Sequence, residues 1–255
     1  MSGFPQTKNL FEELALIEMK NLIPFYLSII FVLLIGCTAT DLNRVLQGAS
    51  NAVLSNDEVA NGLKEALVKG ISVGSESASK EDGFLKNELI RIALPEEFRK
   101  VEGTMRKLGL GAEVDKVLLA INRGAENAAK EAKPIFVNAI KQLTIQDAFS
   151  ILRGEEDAAT QFLRRTTSDQ LAVLFQPHIQ ESLNQVGATR YYTDLVKAYN
   201  AIPSTKNLNP DLNAYVTEKA LDGLFILIAN EEKNIRENPL ERTTVLMRRV
   251  FAAQD

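Results

Sequence analysis

The chain has one cysteine, Cys37, and it closes an apolar run ending in Leu34, Ile35 and Gly36. A leucine, small residues and a cysteine in this order are typical of bacterial lipoprotein signals, in which the thiol takes a lipid and the cysteine becomes the mature N-terminus. Residues 27–35 have the length and apolar character of a signal-peptide core. The predicted chemistry at Cys37 is therefore lipidation, which would fasten the folded part to a membrane.

The residues before this apolar run suggest where translation begins. Three glutamates precede Met19, whereas export signals begin with a basic segment such as Met19-Lys20. We expect translation to start at Met19, so that residues 1–36 are an over-extended start plus signal peptide. Residues 37–54 then form a lipidated tether with a first short helix. The alternative is an uncleaved membrane helix, because about 20 uncharged residues at about 1.5 Å each can just cross a bilayer core of about 30 Å.

Lys219 has the most unusual surroundings among the charged residues of the mature part. A helix predicted over 211–229 is apolar on two opposite faces, which indicates a central helix, and Lys219 lies within one of those faces. A buried ammonium needs a carboxylate, and the candidates are Asp222, Glu231 and Glu232. With Arg236 these residues form a candidate polar site. Two interpretations stay open: a structural ion pair or a lysine reaching the surface, and an anion or ligand contact in a polar pocket.

Asn122 and Glu126 complete the candidate site. The helix that carries them has its apolar stripe through Ile121 and Ala125, which places Asn122 and Glu126 on its flank and turns Arg123 away. A solvated flank without function is the alternative interpretation.

Other chemistry finds little support in the sequence. His178 and Glu181 are three residues apart, but a metal site needs further ligands, so we predict no metal and no cofactor. The mature part beyond Cys37 contains no cysteine, which excludes disulfides and thiolate metal sites. Nucleotide-binding glycine motifs and serine-nucleophile motifs are absent. Missing motifs are only weak evidence against an enzyme.

Length and charge narrow the class of protein. Residues 37–255 are long enough to bury roughly 70% of the unfolded chain's surface. Removing residues 1–36 takes away two lysines and three glutamates and leaves 27 basic and 30 acidic residues, a net charge of −3. This balance does not suit a nucleic-acid-binding protein.

Helical periodicity runs through almost the whole mature part. Capping motifs begin predicted helices at Ser55, at Thr144 and at Thr167, and Pro95 begins another that pairs as a hairpin with a helix over 113–132. Residues 75–82 read as a polar loop, and residues 89–94 as a short extended segment without a strand partner. The sequence predicts an all-α fold, a compact multi-helix bundle, with residues 55–255 as a single domain.

The chain resembles the bacterial family catalogued as domain of unknown function 4197. The resemblance covers roughly residues 42–251 and depends on many short blocks in one order. These blocks are Leu63-Lys-Glu-Ala-Leu67, Gly83-Phe-Leu-Lys86, Ile92-Ala-Leu-Pro95, Leu108-Gly-Leu-Gly111, Asn122-Arg123 with Glu126, Ala132-Lys-Pro134, Asp147-Ala148, Ile151-Leu-Arg-Gly154, Asp157-Ala-Ala-Thr160, Lys219-Ala-Leu-Asp-Gly-Leu-Phe225, Glu231-Glu232, Ile235-Arg236 and Arg248-Arg249-Val250-Phe251. The resemblance implies an all-helical envelope domain and brings no agreed activity, cofactor or catalytic residue.

Together these features predict a lipid-anchored protein of the cell envelope whose work is binding or assembly. Its expected contacts are the membrane through the anchor, and an envelope protein or a lipophilic ligand through a groove between helices. The alternatives are an envelope hydrolase or transferase that uses the lysine and carboxylate cluster, and a purely structural component. The residue after Cys37 is Thr38, whereas an aspartate at this position would resemble an inner-membrane retention signal. We therefore expect the protein to be anchored in the outer membrane, facing the periplasm.

Overall fold

The computed structural model describes residues 54–201 and 211–253. The predictions for Cys37, for the signal peptide and for most of the tether lie outside this part of the chain. Residues 54–255 form one compact unit. No helix in the described ranges is long and apolar enough to cross a membrane.

The described residues form nine α-helices and no strand, which confirms the predicted all-α bundle. The helices are α1 Asn56–Ser79, α2 Arg99–Lys107, α3 Gly111–Ala129, α4 Lys133–Gln142, α5 Ile145–Leu152, α6 Ala158–Gln185, α7 Ala188–Asn200, α8 Leu212–Glu237 and α9 Val245–Ala252, with 3₁₀ turns at Glu96–Phe98 and Pro239–Glu241.

Four long helices, α1, α3, α6 and α8, surround the core. Helix α3 packs on α6, α6 on α8, and α8 on α1, while α4, α5 and α9 cover the outside of α1 and α6. The prediction that the helix begun by Asp211 is central is confirmed. Phe136 and Phe225 meet edge to face at 5.8 Å between ring centroids, and both side chains are fully buried. Gly124 permits the close approach of α3 to α6, because a Cβ there would lie 3.0 Å from the Ile179 Cα.

Two predicted capping boxes are confirmed. The Ser55 hydroxyl accepts the Glu58 amide at 3.2 Å, and the Thr144 hydroxyl accepts the Asp147 amide at 3.1 Å, with each acidic side chain accepting the cap amide in return. Both boxes use only residues within one helical turn, so the local sequence was sufficient to predict them.

Two predicted helix boundaries are wrong. The cap at Thr167 lies inside α6, because the Thr167 hydroxyl donates to the Leu163 carbonyl at 2.6 Å, one turn back, instead of capping a new helix. The predicted loop over 75–82 is helical as far as Ser79. Gly74 does not end α1, since it lies against the Ile228 backbone of α8 and helix packing outweighs its low helix propensity.

Candidate functional site

Lys219 and Asp222 lie on the outer side of α8, where they form an ion-pair cluster. The Lys219 Nζ is 3.2 Å from a Glu218 oxygen and 3.6 Å from an Asp222 oxygen, and the Arg164 guanidinium donates to Asp222 at 2.8 Å. The Lys219 side chain is 41% exposed, so its amine reaches the surface. Burial lowers the pKa of Lys219, but Glu218 and Asp222 outweigh it and leave the pKa raised. Lys219 is therefore a paired and protonated cation at neutral pH.

Glu232 and Arg236 form a second cluster that joins helix ends. The buried Glu232 carboxylate accepts the amides of Ala159 and Thr160, at 3.0 and 2.8 Å, at the start of α6. Arg236 donates to Glu232 at 2.9 Å and to the Ile151 carbonyl, also at 2.9 Å, at the end of α5. An anion at a helix N-terminus and a cation at a C-terminus both stabilise the helices they cap. Glu231, the residue before Glu232, is half-buried, and its side chain has no hydrogen bond to any described residue.

Asn122 and Glu126 are buried, so the alternative interpretation of these residues as a solvated flank is wrong. The Asn122 side chain accepts the Ile92 amide at 2.9 Å and donates to the Ile92 carbonyl at 2.9 Å, much as a neighbouring strand would. Of the extended segment expected near 89–94, residues 89 and 90 belong to a turn, and the part from Arg91 onward finds its partner in a side chain. Glu126 accepts the amides of Phe84 and Leu85, at 3.1 and 3.2 Å. These contacts span at least 30 residues, which explains why helical periodicity could not reveal them.

Arg123 does not turn away from this group. Its guanidinium donates to the Glu126 carboxylate and, at 2.7 Å, to Asp82. Asp82 has a positive φ of 65° in the turn after α1. Lys86 first and Arg123 second hold the pKa of Asp82 below its ordinary value. The ion pairs therefore fix the turn over 80–86 against α3.

The residues of the predicted polar site thus lie in three separate groups. Within the described ranges no hydrogen bond or ion pair joins the Lys219 group, the Glu232 group and the Asn122–Glu126 group. Each group has a structural contact that accounts for its polarity. Where the Glu232 group faces a cavity, the space is about 20 Å³, enough for about one water molecule.

A larger concave feature lies between α2, α3 and α7, and we call it the α2–α3 groove. It has a volume of about 570 Å³. Its lining is mainly apolar and comprises Leu94, Phe98, Val101, Met105, Leu110, Val114, Val117, Val186, Ala188, Tyr191 and Tyr192, with Glu102, Glu113, Lys116 and Asp194 as the polar residues.

The groove is open because α2 packs against few other elements of the described fold. Phe98 contacts Tyr192 with ring centroids 5.3 Å apart at the base of the groove. From there α2 returns along α3, as the predicted hairpin requires, with Gly109 at φ 83° in the connection. Of the α2 side chains that the structure describes, none is fully buried. The apolar stripe with Val101 and Met105 therefore faces the groove, and no helix of the described ranges covers it.

The sequence did predict the stripe of α2, but not that it would lie open. Val101 and Met105 read as one more core-facing pattern, since periodicity alone does not tell whether a face finds a partner. Leu108 and Leu110 directly follow a short and strongly basic helix, which is a sequence signal for an apolar surface that stays open. The structure leaves both residues exposed, and Tyr191 as well.

A second, polar depression of about 540 Å³ lies next to this groove on the other side of α3. Lys116, Arg123, Lys130, His178 and Glu181 are among its lining residues, and the His178 Nε2 is 3.6 Å from Glu131. In the described ranges no three histidine, cysteine, aspartate or glutamate residues are grouped so as to hold a metal ion.

Comparison with known proteins gives one finding. No curated protein and no solved structure matches the chain significantly. The sequence model of a family of unknown function, DUF4197, matches residues 53–252, which is most of the chain and includes the α2–α3 groove and all three polar groups. The chain belongs to the DUF4197 family of proteins of unknown function.

Proposed function

We propose that this protein is a lipid-anchored binding module of the cell envelope, and that it binds apolar groups in the α2–α3 groove. The anchor is proposed from the sequence around Cys37, and the outer membrane from Thr38. The binding role depends on one observation, the open groove of about 570 Å³ with a mainly apolar lining.

The groove has the dimensions and composition of a binding site. Ligand pockets are concave, span about 300–1,000 Å³, and combine an apolar lining with a few polar groups. In this groove Val114 and Val117 form one wall and Tyr192 another, while carboxylates lie at the edge. A core that only needed to be filled would not leave this volume open to solvent.

The two walls of the groove differ in how firmly they are held. Helix α3 packs along α6 and belongs to the four-helix core, and Val114 is only 3% exposed. Helix α2 packs chiefly on α3 and has no buried anchor among its described side chains. Because segments with few buried contacts open at low free-energy cost, α2 can move aside to admit a ligand while α3 stays in place.

Binding in the groove can be tested with a neutral fluorescent probe whose emission rises in apolar surroundings. A fragment of residues 38–255 suits this assay, since it retains the whole compact unit 54–255. Leu110 lines the groove and is 47% exposed, so Leu110→Glu introduces a charge there without removing a core residue. We expect probe affinity to fall by about tenfold, the equivalent of about 1.4 kcal/mol.

Leu240→Glu is the matched control. Leu240 is 89% exposed in the 3₁₀ turn before α9 and is not part of the groove lining. The control should keep the wild-type affinity. Equal effects of the two substitutions, or no saturable binding by the unmodified fragment, would refute binding in the groove.

The anchor is tested separately in cells. Metabolic labelling with palmitate should mark the full-length protein, and Cys37→Ser should abolish the label. An unlabelled wild-type protein, together with a serine variant that stays with the membranes, would exclude the lipid anchor.

A further inference from the structure

We infer that the occupant of the α2–α3 groove is a basic amphipathic helix of another envelope protein. The inference rests on the proposed function and adds the class of partner. The observations behind it are the charge at the rim of the groove, an acidic and aromatic corner on α7, and apolar surface that continues beyond the groove.

The rim of the groove carries more carboxylates than cations. Glu102, Glu113 and Asp194 are part of its lining, and Lys116 is the one cation among the lining residues that the structure describes. Lys116 is already engaged by Glu113 at 2.9 Å. Outside the lining, Arg106 contacts Glu102 at 3.0 Å but is shared with Asp115, an additional carboxylate, at 2.7 Å. Arg99 and Lys107 of α2 are not part of the lining, so among the described lining residues carboxylates outnumber cations by three to one.

Asp194 is the carboxylate best placed to receive a cation from a partner. It is exposed and has no ion pair with any described residue, although Arg190 and Lys197 lie on the same helix. Tyr191 and Tyr192 line the groove beside it, and the Tyr191 side chain is 67% exposed. Tyr192 is buried, so Tyr191 is the accessible ring, and a carboxylate next to such a ring attracts ammonium and guanidinium groups through both charge and cation–π contacts.

The size and composition of the surface favour a protein segment over a small molecule. Leu110 in the lining is 47% exposed, and Leu108 just beyond the groove is 72% exposed, so the apolar surface continues around the tip of the hairpin. Phenylalanine, tyrosine and methionine, which occur together here, are enriched in the centres of protein interfaces, with charged residues at the rim. An amphipathic helix fits such a surface with apolar side chains at positions i, i+3, i+4 and i+7.

The charge of the lining also argues against a fatty acid as the occupant. The carboxylate of a fatty acid would approach three carboxylates and one lysine that is already paired. Basic flanks on an apolar helix remove the repulsion and speed the encounter through electrostatic steering.

The test uses two synthetic helical peptides with identical leucine positions. One carries lysine and the other glutamate at the flanking positions, and each is titrated into the 38–255 fragment at low and at high salt. We expect the lysine peptide to bind about tenfold more tightly at low salt, and the difference to shrink at about 1 M salt, where screening is nearly complete.

Neutral substitutions locate the charge effect. Asp194→Asn combined with Glu113→Gln should remove most of the preference for the lysine peptide. Asp169→Asn is the matched control, since Asp169 is an exposed aspartate of α6 outside the groove lining, and it should leave the preference unchanged.

The outcomes separate this inference from the proposed function. If the neutral probe binds in the groove but the two peptides bind equally, or neither binds, the basic helix is excluded and the apolar site stands. If dodecylammonium displaces the probe as well as the lysine peptide does, the occupant is a small lipophilic cation and the helix is excluded. If neither probe nor peptides bind, both proposals fail.

Discussion

Replacing Glu232 with alanine should destabilise the bundle strongly, because this carboxylate connects α8 with the start of α6 and, through Arg236, with the end of α5. Two amides of α6 donate to Glu232 at 3.0 and 2.8 Å, and the Arg236 guanidinium donates at 2.9 Å. The Glu232 and Arg236 side chains are only 7% and 16% exposed. The ion pair therefore lies largely outside solvent screening.

The expected loss of stability follows from the charge of Arg236, which stays largely buried when the Glu232 carboxylate is removed. Removing one partner of a buried ion pair costs about 3–5 kcal/mol, since the remaining charge has no compensation. The melting temperature of a domain of this size falls by about 2–4 °C for each kcal/mol. We therefore expect Glu232→Ala to melt roughly 6–20 °C below the wild-type fragment.

Urea unfolding of the 38–255 fragment, followed by far-UV circular dichroism, measures this loss. Glu231→Ala is the control, because Glu231 is the adjacent glutamate on α8 and its side chain lacks a hydrogen bond to any described residue. Its effect should stay within about 0.5 kcal/mol, as for most surface substitutions. Equal losses at the two positions would refute the assignment of Glu232 as a helix-joining residue and reopen a ligand-binding role.

Four further substitutions test the packing and one helix cap. Gly70→Ala should raise the free energy of unfolding by about 0.5–1 kcal/mol in urea titrations, because the added methyl group meets its neighbours at 3.7 Å or more. Gly62→Ala should lower that free energy, because it places the methyl group 2.6 Å from a valine. Equal effects of the two substitutions would contradict the packing. Ser75→Ala should leave stability unchanged or raise it by up to about 1 kcal/mol, since the buried hydroxyl has no hydrogen-bond partner among the described residues, and a clear loss would indicate one. The Thr144 hydroxyl holds the pKa of Asp147 below its ordinary value of 3.8, so this cap is complete above that pH and is lost as pH falls through the lower folded-state pKa. The stability difference between wild type and Asp147→Asn should therefore shrink in acid, and a pH-independent difference would contradict the cap.

The parts of the fold that the sequence predicted are those decided by neighbouring residues. Ser55 and Thr144 begin their helices with partners one turn away, and the two apolar faces of α8 indicate its central position directly. Thr167 shows the limit of such local patterns. Its hydroxyl can cap a new helix or bond back to the preceding turn, and the packing of α6 against α3 and α8 decides between the two.

The candidate polar residues depend on contacts that no local pattern contains. Asn122 can be buried because a segment 30 residues away supplies a backbone amide and a carbonyl as hydrogen-bond partners. Glu232 can be buried because the start of α6 supplies two backbone amides. Lys219 reaches solvent instead, because its side chain is long enough to leave the apolar face of α8 and join Glu218 and Asp222. Which polar residues become buried is thus a property of the assembled bundle.

The two methionines of the 38–255 fragment allow a direct test of where binding occurs. The chain has four methionines, and only Met105 and Met247 follow residue 38. Met105 lines the α2–α3 groove, whereas Met247 is 1% exposed in α9. In ¹³C-methyl-methionine NMR spectra, titration with the neutral probe should shift the Met105 signal and leave Met247 in place. A shift of Met247 alone, or no shift of either signal at saturating probe, would contradict binding in the groove.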